Sequence, residues 1–137
     1  MPVADKKLLR MIDVNFNRAK EGLRVCEDIC RYVLDAKSLT KKYKKTRHEL
    51  TAIVESLGLG KVIAARDIAG DVGRVSTAAE FKRKGIDDIF YANSQRVKES
   101  IRVLEETTKL LNSDLAERLK KLRYQIYAVE KDMVKRC

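Results

Sequence analysis

Apolar residues recur along the chain with a period of three to four. Ile12, Phe16, Ala19, Leu23, Cys26, Cys30 and Val33 are spaced alternately four and three apart, which sets them on one helical face. This pattern predicts a first helix over about 5–34. Ser38 suits the N-cap of a second helix through about Leu57, which Gly58 and Gly60 end. Residues 58–75 hold no sustained period and read as irregular or short elements. Thr77 and Glu80 form a capping-box pattern that opens a short helix closed by Gly85. Asp87 can cap a long helix through Leu111. Ser113 or Asp114 can cap a last helix to the C-terminus, with Ile126 and Val129 among its apolar positions. Pro2 is the only proline, and five of the six glycines fall between Gly58 and Gly85. The expected fold is therefore all-α, without the frequent breakers of a turn-rich β protein.

The chain also repeats itself. At an offset of 78, residues 13–28 fall on 91–106 with seven identities: Asn15/Asn93, Arg18/Arg96, Lys20/Lys98, Glu21/Glu99, Arg24/Arg102, Val25/Val103 and Glu27/Glu105. A second block at offset 76 lays Lys44-Lys45-Thr46-Arg47-His48-Glu49-Leu50 over Lys120-Lys121-Leu122-Arg123-Tyr124-Gln125-Ile126. The change of two in offset is what a different hinge loop produces. The expected architecture is one helical domain over 1–137. It is a bundle of two repeated helical hairpins, about 5–57 and 86–136, joined by a connecting segment over 58–85 that carries Gly and Asp. The shared residues are mostly polar, whereas a repeat kept for packing alone would mainly share apolar ones. This marks Asn15, Arg18, Glu21, Asn93, Arg96, Glu99 and Arg102 as candidates for binding, with local ion pairing on a solvated face as the alternative for Glu21 and Arg24.

Charge narrows the partners. Of 137 residues, 30 are Lys or Arg and 20 are Asp or Glu, a formal net charge of +10. The run Lys41-Lys42-Tyr43-Lys44-Lys45-Thr46-Arg47-His48 admits a nucleic-acid partner. Yet aromatics are 6% with no Trp, a poor stacking surface, and no helix-turn-helix or zinc-finger signature appears. Nucleic acid is therefore not the expected partner. No stretch approaches a membrane span and the N-terminus lacks a signal-peptide pattern, so a cytoplasmic location is expected. Cys26 and Cys30 read as buried thiols, since His48 and Cys137 complete no metal spacing. Leu110 and Leu111 make a homodimer conceivable.

The connecting segment holds the densest chemistry, Arg66-Asp67-Ile68-Ala69-Gly70-Asp71-Val72-Gly73-Arg74. Asp67 and Asp71 offer hard oxygen ligands for Mg²⁺. Arg66 and Arg74 offer forked donors for phosphate. Gly70 and Gly73 are expected to turn with positive φ so that the backbone can approach a phosphate. The alternative is a polar turn in which Asp67 caps a helix. Gly58-Leu59-Gly60-Lys61 is not a Walker loop, because the spacing between its glycines is too short and no Ser or Thr follows the lysine. Arg47 and Arg123 recur and are further phosphate candidates. Tyr124 stands opposite His48, the only histidine, which can serve as an acid–base group or simply line a rim.

The strings Ile12 to Val25, Arg47-His48-Glu49-Leu50, Ala64-Ala65-Arg66-Asp67 with Gly70-Asp71-Val72-Gly73, Ala92-Asn93 with Arg96, Glu99 and Arg102-Val103-Leu104-Glu105, and Leu122-Arg123-Tyr124 with Tyr127 and Glu130 resemble, in order, the signatures of a family of thiamin biosynthesis. It is the monofunctional hydroxymethylpyrimidine phosphate kinase family, a helical domain that also occurs fused ahead of thiamin-phosphate synthase. The resemblance implies an ATP- and Mg²⁺-dependent kinase that converts 4-amino-5-hydroxymethyl-2-methylpyrimidine phosphate to its diphosphate. On that reading Arg66, Asp67, Asp71 and His48 are catalytic, and the recurring Asn, Arg and Glu residues with Arg47, Arg123 and Tyr124 bind substrate. The competing reading is a non-catalytic docking or binding module that partners thiamin-phosphate synthase.

Overall fold

The computed structural model describes residues 5–76 and 82–136. Among these described residues are five α-helices: α1 (Asp5–Asp28), α2 (Lys37–Leu57), α3 (Leu59–Ala64), α4 (Ile86–Thr108) and α5 (Ser113–Val134), with a π-helical turn, Ile29–Val33, between α1 and α2. The four long helices close a ring in which α1 packs on α2 and α4, and α5 on α2 and α4. Each turns its periodic stripe inward. Leu8, Ile12, Phe16, Ala19 and Leu23 of α1 meet Leu39, Leu50 and Ile53 of α2, Phe90, Val97, Ile101 and Leu104 of α4, and Leu119, Leu122, Ile126 and Met133 of α5 in one core. Four amphipathic helices bury their stripes together where a single pair would leave them half wet.

α1 and α4 approach each other closely at Gly22. A Cβ on Gly22 would stand 2.6 Å from Val97 Cγ2 and 3.0 Å from the Asn93 carbonyl oxygen. The backbone cannot yield as a flexible side chain would, so Gly22→Ala forces the helices apart. Its expected cost is about 1–2 kcal/mol in chemical denaturation, and an unchanged midpoint would refute the close crossing.

Several boundaries differ from the sequence expectation. The helical path of the first segment changes to π geometry at Ile29, and the chain then leaves through Asp35 at φ 50. The cap of α2 is Ala36, which offers no side-chain acceptor, rather than Ser38. Gly85, not Asp87, caps α4, while Asp88 accepts from the Lys84 N–H at 2.9 Å. Asn112 replaces Ser113 or Asp114 as the cap of α5 and accepts from the Leu115 N–H at 3.1 Å. The Thr77/Glu80 capping box lies outside the described residues. Gly58 does end α2, in the left-handed region at φ 95. Among the described residues, no helix is long and apolar enough to cross a membrane.

Cys26 and Cys30 are both buried, and Cys30 Sγ contacts Met133 Sδ at 3.5 Å. Burial, followed by the nearby Cys30 and Glu130, pushes the Cys26 thiol from 9.0 up to about 12. Between these values the unfolded chain has lost the proton while the folded chain keeps it. Stability is thus full below pH 9 and falls as pH rises towards 12. A loss of about 2 kcal/mol by about pH 10.5 is expected from this thiol. Cys26→Ala should flatten that part of a pH-stability profile, and an alkaline slope identical in both proteins would assign it elsewhere.

Candidate functional site

The site begins with a buried carboxylate. Asp13 follows Ile12 on α1 and is itself buried. Arg66, just beyond α3, grips it with both arms, Nε to Oδ2 at 2.8 Å and Nη2 to Oδ1 at 2.8 Å. Asn17 Nδ2 adds a bond to Oδ1 at 3.3 Å. The side-chain hydrogen bonds to Asp13, then its charge, raise the Arg66 pKa above the ordinary arginine value. This forked pair fixes the orientation of the loop on α1. The guanidinium expected to act catalytically is thereby an anchor.

Past the anchor, two aspartates fold the loop on itself. Asp67 Oδ1 accepts from the Gly70 N–H at 2.8 Å, and Asp71 Oδ1 from the Gly73 N–H at 2.9 Å. Neither glycine has the expected positive φ; Gly58 is the only described glycine that does. Gly70 matters for a different reason: a Cβ there would stand 2.4 Å from Asp67 Oδ2, so the Asp67 carboxylate that accepts from the Gly70 N–H would have to shift. Gly73 meets no comparable restriction.

Between α1 and this loop lies a cleft of about 770 Å³. Arg10, Arg18 and Lys7 give it positive charge, Met11, Val14 and Ile68 an apolar surface, and Glu21, Asp67 and Asp71 carboxylates. Arg10 Nη2 reaches the Asp67 carbonyl at 3.5 Å. Of the candidates from sequence, the cleft gathers Arg18, Glu21, Arg66, Asp67 and Asp71.

The others lie elsewhere. His48 is exposed beside Lys41, Lys44 and Lys45 in a separate depression, so it does not join Arg66 and the aspartates as a catalytic group. Asn15 and Asn93 both donate back along their helices, to Met11 O at 2.9 Å and Ile89 O at 2.8 Å. Arg47 is buried against Glu27, with Nε to Oε1 at 3.0 Å. Arg123 is buried against Glu105, both arms engaged, and also reaches the Tyr127 hydroxyl at 3.2 Å. These hydrogen bonds, led by those to Glu105, push the Arg123 pKa up despite burial. The two arginines are thus bound to internal carboxylates instead of forming a phosphate cradle. Arg102 pairs with Glu106 at 3.4 Å, Glu99 accepts from Gln95 at 3.0 Å, Arg96 is exposed, and Tyr124 lies under the Arg123 guanidinium. None of these second-half residues lines the α1–loop cleft.

Sequence reasoning passed over Asp13, Lys7, Arg10 and Met11. For Asp13 a signal existed: it is an acid beside the apolar stripe, and its repeat position holds Tyr91. Among the described residues, no group of three or more His, Cys, Asp or Glu is placed to hold a metal ion.

The profile of the ThiD2 family matches residues 10–132. The chain belongs to the ThiD2 family. It is 36% identical over 129 residues to a thiamine-phosphate synthase of Rhodopirellula baltica, covering 93% of this chain and 34% of that protein. The thiamine-phosphate synthase of Nostoc punctiforme is 38% identical over 126 residues, 91% of this chain and 35% of its own length. That of Synechocystis sp. is 37% identical over 128 residues, with 93% and 36% covered. The chain therefore spans about a third of the length of these curated relatives. No solved structure matches. These relatives correct the activity implied by the resemblance. They are named as thiamine-phosphate synthases, a different enzyme from a phosphomethylpyrimidine kinase, and the assignment of this ThiD2 chain as that kinase is withdrawn.

Proposed function

We propose that this ThiD2 chain is a non-catalytic binding module of thiamin biosynthesis that docks with thiamine-phosphate synthase and holds a phosphorylated pyrimidine in the α1–loop cleft. Coverage is the observation that carries this reading. Over nine-tenths of the chain aligns with about a third of each synthase, so those proteins hold a unit of this kind beside a further two-thirds of chain. Within one chain, linkage keeps two units at high effective concentration; as separate chains they must meet through a surface.

The cleft supports the choice of ligand. Met11, Val14 and Ile68 offer apolar surface for a flat ring, and Arg10 and Arg18 offer forked donors for a phosphate. Glu21 can accept from an exocyclic amine. Mg²⁺ fits only as an ion carried with phosphate. Asp67 and Asp71 each bind the loop backbone through Oδ1, which leaves Oδ2 of each, and Mg²⁺ commonly takes one or two carboxylates with phosphate and water. The ion would reduce repulsion between the ligand phosphate and those carboxylates. ATP enters this proposal as a second ligand to be tested in the cleft.

Two measurements test the proposal. Size-exclusion chromatography with a thiamine-phosphate synthase that lacks this helical unit should give a stoichiometric complex; separate elution at micromolar concentration rejects docking. Calorimetry with the pyrimidine monophosphate, with and without Mg²⁺, should show one site whose affinity falls about tenfold in Arg18→Gln. Unchanged affinity in that variant removes the ligand from the cleft.

A further inference from the structure

A further concave surface lies where α1 passes through the π turn into α2, sharing Lys41 and Lys44 with the depression beside His48. It encloses about 630 Å³ and shares no lining residue with the α1–loop cleft. Its wall carries Arg24, Arg31, Lys37, Lys41, Lys44 and Arg47 against two carboxylates, Glu27 and Asp35. Glu27 is 2% exposed and already held by Arg47 at 3.0 Å and Arg24 at 3.2 Å. Among the described residues, Lys37, Lys41 and Lys44 form no ion pair. The surface is therefore strongly positive after its internal pairs are counted.

A run of lysines on a helix is ordinarily a solvated face. Three observations separate this one. Lys37, Lys41 and Lys44 are spaced four and three apart, so they form a strip about 10 Å long on one face of α2. The strip faces a concavity, and the Arg47 guanidinium in its wall is buried and fixed by Glu27. The arrangement is also confined to one half of the repeat. At the offset of 76, Ser113 and Glu117 stand where Lys37 and Lys41 do. Glu27 and Arg47 are 20 residues apart but Glu105 and Arg123 only 18. The longer connection contains the π turn and Asp35, the only described non-glycine residue at positive φ. Shared ancestry of the halves does not account for such a local departure, and π turns recur at functional sites.

We propose that this cleft binds a linear condensed phosphate, two or three phosphoryl units long. A single phosphate lies within reach of one or two of these side chains, whereas three lysines along a strip match a chain of anionic groups. The volume falls within the range of small-ligand sites. The condensed phosphate can be inorganic or the tail of an organic molecule, and the shared chemistry is the chain of phosphoryl groups.

The test is calorimetry on the full chain at fixed ionic strength, with inorganic tripolyphosphate, orthophosphate, a nucleoside triphosphate and a short DNA duplex as probes. Tripolyphosphate should bind at one site, at least about tenfold more tightly than orthophosphate. The double variant Lys41→Gln/Lys44→Gln should lose about tenfold, while Lys120→Gln/Lys121→Gln should bind as the parent does. The control changes charge equally on α5, with Lys120 the repeat partner of Lys44 itself. Substituted positions are exposed in both variants, and circular dichroism checks their folding. Comparable binding of tripolyphosphate and the nucleoside triphosphate supports recognition through the phosphoryl chain; much tighter nucleotide binding still lost in the α2 variant assigns the organic source. Equal losses in both double variants would reduce the effect to net charge and overturn the proposal. So would binding of the duplex tighter than that of tripolyphosphate. No synthase is present in these measurements, so their outcome is separate from that of the docking test.

Discussion

Glu105→Ala should lower the unfolding free energy by about 3–5 kcal/mol and the melting temperature by about 10–20 °C. Glu105 is buried between α4 and α5, and its carboxylate accepts both arms of Arg123. Removing the acid leaves a guanidinium in a dry site with only the Tyr127 hydroxyl and the faces of Tyr124 and Tyr127 to stabilise it. Arginine does not shed its proton to escape such a site. The opposite change follows from the same electrostatics. Glu105→Leu combined with Arg123→Met removes both desolvation penalties together and should recover most of the loss. Denaturant titration of the two single variants and the double closes the cycle. Additive costs would show that the pair is not coupled. Glu27→Ala should behave similarly through Arg47, because Arg24, the other partner of Glu27, is also a cation and cannot replace the carboxylate.

These pairs explain part of the repeat that packing does not. Glu27/Glu105 recur at one offset and Arg47/Arg123 at the other, and in each half the Glu of one helix grips the Arg of the next. Recurrence of the arginines alone suggested a phosphate cradle. The glutamates recur with them, but the sequence does not display that two residues 20 or 18 apart face one another across a turn. The four long helices were legible because their stripes are long and regular, from Leu8 to Cys26 and from Leu115 to Met133. The π turn was not, since two additional residues alter the offset without breaking the apolar period. The loop was half legible. Asp67, Asp71 and their glycines stood out as a group, but the dense polar segment hid that Arg66 turns away from it towards Asp13 on α1. The role of Gly70 also depends on a side chain three residues back, not on its own φ. The resemblance placed the chain among helical domains of thiamin biosynthesis, as the family match and the relatives do; the kinase activity attached to it was overturned by the relatives.

Arg66→Gln should release the loop and disable the cleft while the bundle stays folded. Arg66 reaches Asp13 across 53 residues of sequence, with two bonds of 2.8 Å. Beyond it the loop is exposed and tied chiefly to itself through Asp67 and Asp71. Loss of the fork removes the principal tether, and opening becomes a local event that does not require unfolding of the core. Ile68 and Val72 are already exposed, and a released loop can take the extended conformation that thermolysin requires for cleavage. Cleavage before them should quicken by about tenfold under native conditions. Affinity for the pyrimidine monophosphate should drop by a similar factor, because Ile68, Asp67 and Asp71 no longer hold their positions opposite Arg18. Arg66→Lys should not rescue either property, since one ammonium cannot reproduce the planar two-point grip. Arg74→Gln, which removes an equal charge from the same segment without touching Asp13, should leave cleavage at the parental rate. Equal acceleration by Arg74→Gln would mean that charge, not the anchor, governs the loop. Parental cleavage and affinity in Arg66→Gln would show that the loop keeps its place without Asp13.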